Sequence, residues 1–553
     1  MPKTVKFFLL AIFLITALFA SPFFSLPNSA QRQGPVATTA ASRNAGLVVA
    51  ADSGAVARPL GSAQQDPVAI KAARNSALVA ATQEVLKETS EVRQLSILRP
   101  VRSSAQSRAE IERMIMKNLN EETTPAQIHA IEVTWKKMGL APPDFQYRAL
   151  IIRLLTEQVA GYYDPKTREF HLADWIDLDA QRSIMAHELT HALQDQHFNL
   201  RRFEHWPKGD SDAELAAHAL IEGDAMLAMS LYVLKDPLRA LALLKSLGTA
   251  SMSSVEFEKA PRAVRESLLF PYQEGLAWTN ALYRRGGWNE VSQAFTSLPQ
   301  STEQIMHPEK YFAHEAPVRV TLPDVTSLLN AGSASVNSGR WAVGSRQMSE
   351  ITGQWAVGGK QAAAVGTQPV AGSADVSPFV LQATASAGSA DVSSAFARYS
   401  SLITHHSSLS SSAPPSWKRL DYDVQGEWGF YLILDQFLKS PAESRRAAAG
   451  WAGDRCAVYE GPKGEVLIAS LSTWDTENDA REFFEAYVKR TGLRYPDATS
   501  LDAVPNTHTG TPSKAFRTSE GTVVIELRGS RVVILEDVPD RADLKTLLKT
   551  LWQ

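Results

Sequence analysis

Cysteine is nearly missing from this chain. Its 553 residues include one, Cys456, so no intramolecular disulfide can form and stability has to come from a packed core or a bound metal. A charge excess is missing too, because 56 Lys and Arg against 59 Asp and Glu leave a formal net charge of −3. That balance gives no electrostatic reason to expect nucleic acid, and no nucleic-acid-binding motif is present. With 44% hydrophobic and 21% charged residues the composition is that of ordinary globular protein, and the length exceeds one domain.

The start of the chain departs from this background. Residues 1–6 are basic and residues 7–20 apolar, the pattern of an export signal. Cleavage is expected after Ala20 or before Gln31; uncut, the apolar run extended through Phe24 is long enough to anchor the chain in a membrane. Cys456 is too distant for lipid attachment at the signal. Residues 1–30 therefore read as signal peptide or anchor. Residues 31–66, rich in Ala, Ser, Gln and Gly, read as a disordered leader or tether. The expected location is periplasmic or extracellular, with a membrane as partner only if the anchor is retained.

The most informative pattern is His187-Glu188-Leu189-Thr190-His191. Its flanks are uncharged, and no proline occurs between Asp177 and Phe198, as a buried helix requires. Residues at i and i+4 share a helix face, so both imidazoles can close on one zinc ion while Glu188 reaches the attacking water as general base. A catalytic zinc keeps three protein ligands, so a third is expected downstream. The apolar, helical stretch 211–230 offers Glu214, His218 and Glu222, which lie along roughly one stripe. Spacing alone does not choose between them.

A resemblance does. Glu222-Gly223-Asp224-Ala225 resembles the Glu-Gly-x-Ala second motif of gluzincin metallopeptidases, and with the first motif the surrounding residues are similar to a branch of secreted bacterial metallopeptidases. The resemblance implies one Zn²⁺ held by His187, His191 and Glu222, with Glu188 passing the water's proton to the leaving amine and a peptide or protein as substrate. It also implies that Gly223 lets the second helix pack closely on the first. A Tyr or His from elsewhere should hold the oxyanion, and Tyr272, His307 and Tyr311 are the candidates. Two departures stand out. The gap from His191 to Glu222 is longer than in the best-known members, and Met226 stands where the thermolysin-like pattern has an aspartate that orients a histidine. Asp224 is the nearest carboxylate, and it and His218 are the candidates for steadying a ligand.

Upstream, residues 158–172 read as a strand, a turn at 164–167 and a returning strand. In gluzincin-like enzymes the edge strand at this place pairs with an extended substrate; a plain structural hairpin fits the residues equally well. Tyr162 and Tyr163 read as packing aromatics. Helices are expected over 67–87, 107–119 and 124–138, another ending at 158, and others over 225–234, 237–247 and 270–284, the last stopped by Gly286 and Gly287.

Residues 327–416 are rich in Ser, Ala, Gly and Val, with near-repeats such as 338–347 and 352–361. They read as a long disordered linker. A small accessory α+β domain is expected over 417–553, with helices at 428–438, 442–449, 475–490 and 541–551 and strands at 456–460, 465–474, 522–527 and 531–536. Residues 450–455 read as a loop, and Cys456 as a buried small residue.

The expected architecture is thus α+β: a mainly helical, zincin-like catalytic domain with a small sheet over 67–326, the linker, and the C-terminal domain. The expected function is zinc-dependent peptide-bond hydrolysis by an exported metallopeptidase, and residues 67–324 alone should keep the metal. The alternative is a zinc-stabilised, catalytically inactive binding or envelope scaffold. Glu188 argues against it, because a closed structural site has no use for a base and prefers cysteine.

Overall fold

Cap residues set where the helices begin. In the computed structural model, which describes residues 67–176, 178, 181–203, 206, 209–241, 255–331, 416–501 and 512–553, Ser107 and Thr124 each open a helix with a reciprocal capping box. The expected signal and leader, and residues 332–415 of the expected linker, lie outside the described residues. The first elements are α1 (Pro67–Arg93), β1 (Arg102–Gln106), α2 (Arg108–Glu122), α3 (Pro125–Lys137), α4 (Tyr147–Gln158), β2 (Gly161–Asp164), β3 (Glu169–Ala173) and α5 (Arg182–Phe198). The hairpin β2–β3 is present. Strand β1, not anticipated, joins it parallel to β3, giving the order β1-β3-β2 and leaving β2 at an edge.

After a short turn of 3₁₀ helix, Leu200–Phe203, come α6 (Ser211–Leu234), α7 (Val255–Lys259), α8 (Arg262–Ala294), α9 (Thr302–Met306) and α10 (Pro308–Phe312). Helix α8 is interrupted at Gly286 and Gly287, the latter at φ 64°, where the diglycine was expected to stop it. Helices α6 and α8 touch backbone to backbone. A Cβ at Gly223 would overlap the Gly275 carbonyl and lie 2.6 Å from Thr279 Oγ1, and one at Gly275 would overlap the Ala219 carbonyl. Gly223 thus serves the packing of α6 on α8, rather than on the helix of the first motif.

The later elements are β4 (Lys418–Asp423), α11 (Gly426–Leu438), α12 (Pro441–Ala448), β5 (Trp451–Glu460), β6 (Val466–Trp474), α13 (Glu477–Arg494), β7 (Thr499–Ser500), β8 (Ser513–Arg517), β9 (Thr522–Arg528), β10 (Arg531–Val538) and α14 (Leu544–Leu551). Strands β4 to β10 form one antiparallel sheet in the order β4-β5-β6-β10-β9-β8-β7. Side chains alternate between its faces. Val523, Ile525, Val532 and Ile534 join the core that contains α11 and α13, while Val524, Val533 and Leu535 pack with Leu322, Val325, Leu329 and α14. Both faces are covered, which explains the near-continuous apolar strands. The expected loop at 450–455 is instead the start of β5.

Residues 417–553 do not stand apart. They cluster with the residues before 333 into one compact unit, separate from 333–416, which corrects the expected two-domain layout. One continuous core runs from Ile111 through Trp278 and Trp428 to Ile534. Polar joints cross it as well: Arg490 is wholly buried, donating to the Met138 carbonyl at 2.7 Å and pairing with Glu536. The expected linker also starts too early, since residues 326–331 are helical. Asn330 exchanges hydrogen bonds with the Trp417 backbone, accepting at 2.8 Å and donating at 3.4 Å. The low-complexity segment is therefore an insertion whose ends are clasped together. The described residues form a broadly α+β structure.

Candidate metal centre

Helix α5 presents His187 and His191 one turn apart, and α6 crosses it with Glu222 facing them. Nε2 of His187 lies 3.1 Å from Nε2 of His191 and 3.2 Å from Oε2 of Glu222, which is 3.4 Å from Nε2 of His191. An ion with four tetrahedral ligands at about 2.0–2.1 Å holds neighbouring donors about 3.3 Å apart. The three measured edges fit that spacing, and two imidazoles with one carboxylate suit a zinc-type ion. Neither Glu214 nor His218 belongs to this group of potential ligands. Both lie on α6, but Glu222 alone of the three brings an oxygen to the histidines.

Gln194, one turn beyond His191, settles the histidine's tautomer. Its amide nitrogen donates to the Ile221 carbonyl at 3.0 Å and to Asp224 at 2.9 Å. Those acceptors fix the amide's orientation and turn its oxygen to Nδ1 of His191 at 2.9 Å. Nδ1 must then carry hydrogen, leaving the Nε2 lone pair for a metal. Asp224 is in turn bound by Arg93, with both side chains fully buried, and the Arg93 guanidinium lies over Trp288 and touches Ser292 at 3.2 Å. The carboxylate that follows the third candidate ligand thus acts on His191 through an amide.

Glu188 stays outside the ligand group. Its carboxylate accepts the backbone N–H of Tyr163 at 3.0 Å. Ala160 and Asp164 turn their carbonyls to Ala173 and Arg168, so Gly161 and Tyr163 direct their backbone groups off the open edge of β2. One of those edge donors therefore holds Glu188. The side chain of Tyr163 reaches the next turn of α5, donating to Asp195 at 3.0 Å, and Tyr162 donates to Gln106 at 2.9 Å.

Burial dominates the electrostatics. It lifts the Glu188 carboxyl to about 8, despite the opposing His191 charge and the Tyr163 N–H. It pushes His187 down to about 4, keeping that imidazole neutral. For Glu222 burial works upward, yet the charge of His191 and hydrogen bonds to both histidines hold it well below the usual carboxylate range. His191 moves up, because Glu222 outweighs burial. The Tyr272 hydroxyl is raised by burial, then by Glu222 and Glu188, with a hydrogen bond to Glu222 adding to the effect. It stays a donor at any ordinary pH.

Of the three oxyanion candidates, Tyr272 is the one brought to the centre, its ring 6.2 Å from that of His187. His307 instead pairs with Glu427 at 2.9 Å, and Tyr311 donates to the Ser297 carbonyl at 2.8 Å. A second group of carboxylates, Glu303, Glu315 and Asp475, surrounds the Lys310 ammonium at 2.7, 2.7 and 2.6 Å. A lysine fills that place. Cys456 is buried, and burial drives its thiol far up, so it remains the inert packing residue expected.

Comparison with known families touches one part of the chain. Residues 413–548 match a family described as Domain of unknown function (DUF8575). No curated protein and no solved structure matches. The match covers the seven-stranded sheet and α11 to α13, and the candidate metal ligands His187, His191 and Glu222 lie outside it. Gln194, Arg93 and the Tyr163 backbone were missed in the sequence. Gln194 alone carries a signal there, as an amide three residues past a histidine on an apolar helix.

Proposed function

We propose that this protein is a zinc-dependent peptidase whose centre is His187, His191 and Glu222. The observation that carries the proposal is the triangle of donor atoms 3.1–3.4 Å apart with a carboxylate beside it that belongs to no ligand set. A closed structural site would have no use for Glu188. Zinc held there would supply Lewis acidity toward a carbonyl oxygen and a nucleophilic water near neutral pH. The residues of the chain do the rest. Glu188, oriented by the Tyr163 N–H and ionised by a cation held beside it, would take the water's proton and return it to the departing amine. Tyr272 holds Glu222 through its hydroxyl, and Gln194 holds His191. The Gly161 backbone and the Tyr163 carbonyl on the open edge of β2 would pair with an extended peptide, the Tyr163 N–H being taken by Glu188.

The test is Glu188→Gln in the full chain. The variant should keep its metal and lose hydrolysis of a mixed peptide library by several orders of magnitude, roughly 10³-fold or more. Chelation should abolish wild-type hydrolysis and zinc should restore it. Metal loss in Glu188→Gln would make that residue a ligand, and unchanged hydrolysis would sink the mechanism. Glu222→Ala should empty the site, whereas Glu214→Ala and His218→Ala should stay within about tenfold of wild-type affinity.

A further inference from the structure

Two polar chains lead away from the metal centre, and both end in residues 93–99, the last residue of α1 and the connection to β1. The first runs from His191 through Gln194 to Asp224 and stops at Arg93, whose buried guanidinium is backed by Trp288 and Ser292 of α8. The second starts at Glu188, which accepts the Tyr163 N–H at 3.0 Å. The Tyr163 hydroxyl donates to Oδ2 of Asp195 at 3.0 Å, and the same oxygen accepts from Arg99 at 2.9 Å. One chain reaches a candidate ligand and the other the candidate base.

Packing brings this stretch to α5. Helix α1 ends at Arg93, where Gln94 turns left-handed at φ 59°. Leu95 then joins the apolar cluster that holds Leu189 and Leu193 of α5, so the connection runs beside the helix of the first motif. The last turn of α5 fastens it. Gln196 accepts from the Leu98 and Arg99 N–H groups at 2.7 and 3.0 Å and donates to the Arg99 carbonyl at 3.2 Å, and Nε2 of His197 lies 2.7 Å from the Ser96 carbonyl. Two neighbours on α5 receive the two chains, Gln194 that of the ligand and Asp195 that of the base.

Tyr163 spans α5 from Glu188 to Asp195, two turns or about 10 Å along the axis. Fixed at both places, β2 cannot slide along the helix and its amide stays on the carboxylate. Burial, then the charge of Asp195, raises the Tyr163 hydroxyl, so it remains a donor. Asp195 and Asp224 are both buried, and a buried carboxylate that loses its cation is left uncompensated and has to move or take up water. Each arginine therefore fixes the carboxylate on which its chain depends.

We propose that residues 93–99 position the reacting groups, Arg93 acting on the metal side through Asp224 and Gln194, and Arg99 on the base side through Asp195 and Tyr163; the proposal rests on the peptidase reading above. Both are positioning residues, working through other side chains. The two chains have no side chain in common, so each arginine governs one half of the reaction and the halves are separable.

The experiment uses the full-length protein. Zinc affinity is read by competition with a chelating dye, hydrolysis of a mixed peptide library by kcat and KM at saturating zinc, and the hold on Glu188 by hydrogen exchange at the Tyr163 amide of the zinc-loaded protein. Arg93→Met should lower zinc affinity about 10- to 100-fold and leave exchange at Tyr163 within about twofold of wild type. Should that variant not fold, Arg93→Met with Asp224→Asn, which leaves no unpaired buried charge, is read in its place with the same expectation. Arg99→Gln should keep zinc affinity within about twofold, lower kcat about tenfold at unchanged KM and speed exchange at Tyr163 about tenfold. Arg93→Lys and Arg99→Lys should each recover part of the loss, and Arg113→Gln, exposed on α2, should leave every reading at its wild-type value. Added to Gln194→Leu, Arg93→Met should change zinc affinity by less than about twofold, and added to Tyr163→Phe, Arg99→Gln should change exchange by less than about twofold, because each arginine acts through that residue. Additive effects in either double variant, or zinc affinity and exchange changing together in either single variant, would reduce the arginines to general stability and overturn the proposal. A wild type that cuts no peptide while the two halves still separate overturns the peptidase and leaves the positioning role standing; cleavage without that separation does the reverse.

Discussion

Gln194 shows how much one neutral side chain can decide. It orients the imidazole of a candidate ligand and does so by joining two helices, accepting from His191 on α5 and donating to Ile221 and Asp224 on α6. Gln194→Leu should therefore weaken metal binding by about 10- to 100-fold, read by competition with a chelating dye, while the far-ultraviolet circular dichroism stays unchanged. Affinity within twofold of wild type would show that His191 is held by other means. Asp454 sets a second residue-scale expectation. It is buried and accepts from the N–H groups of Gln425 and Gly426 and from Trp451 Nε1, yet burial outweighs these donors and lifts its carboxyl to about 6. A folded value above the unfolded value of about 3.9 means that the fold holds the proton more tightly. That contribution to stability is complete below about pH 4 and is lost as pH rises through about 6, an effect of up to about 3 kcal/mol. Urea unfolding of wild type and Asp454→Asn between pH 4 and 7 should show the variant gaining relative stability with rising pH. A constant difference would mean that the carboxyl is already ionised at pH 4.

Between elements, the contact that matters most for the metal is the crossing of α6 and α8 at Gly223 and Gly275. Either residue changed to Ala puts a methyl against a facing backbone carbonyl, which cannot move as a side-chain tip can. A loss of about 3 kcal/mol is expected for each, with Gly223→Ala also lowering metal affinity because Glu222 precedes it; thermal melts with and without zinc check both. Stability within 0.5 kcal/mol of wild type would mean that the helices separate at little cost. What could be read beforehand divides along the same line. Helices α5 and α6 were legible because their apolar spacing and their ligands are local in the chain. Strand β1, Arg-Ser-Ser-Ala-Gln, was not, since its residues lack strand alternation and become a strand because β3 offers an edge. The start of β5, with Gly453 in it, looked like a loop because it sits before a run that reads as a strand. In the structure that glycine lies directly under the Val318 backbone, whose N–H donates to the Ala452 carbonyl at 2.7 Å.

At the scale of the whole molecule, the insertion of residues 333–416 does not divide the protein. The unit on either side of it is one, and that unity was illegible beforehand because it rests on pairs hundreds of residues apart, such as Arg490 with Met138. Limited proteolysis should cut within the insertion. The expected result changes accordingly: the two pieces should co-elute on gel filtration without denaturant and retain zinc, since a shared apolar core holds them. Residues 67–331 expressed alone should fail to hold the metal. If that fragment folds and binds zinc, the shared core is dispensable.

The joint between the two parts also has a clock in it. Helix α6, which supplies Glu222, begins where the Ser211 N–H is taken by Asp423 at 2.9 Å and where Asp212 holds Thr302. Over an 18-residue window α6 has a mean hydropathy of 1.2, by length and composition enough to cross a membrane, and it is covered here by protein. Ribosomes add about 5–20 residues per second. Asp423 thus leaves the ribosome roughly 10–40 s after Ser211, and the sheet of β5 to β10 later still. For that interval the start of α6 lacks the Asp423 carboxylate that takes its first N–H in the finished chain, although α5 and α8, which cover its length, are already made. A chain truncated before β4 should therefore leave the N-terminus of α6 without its acceptor, so that the helix carrying Glu222 is completed only by residues made some two hundred positions later.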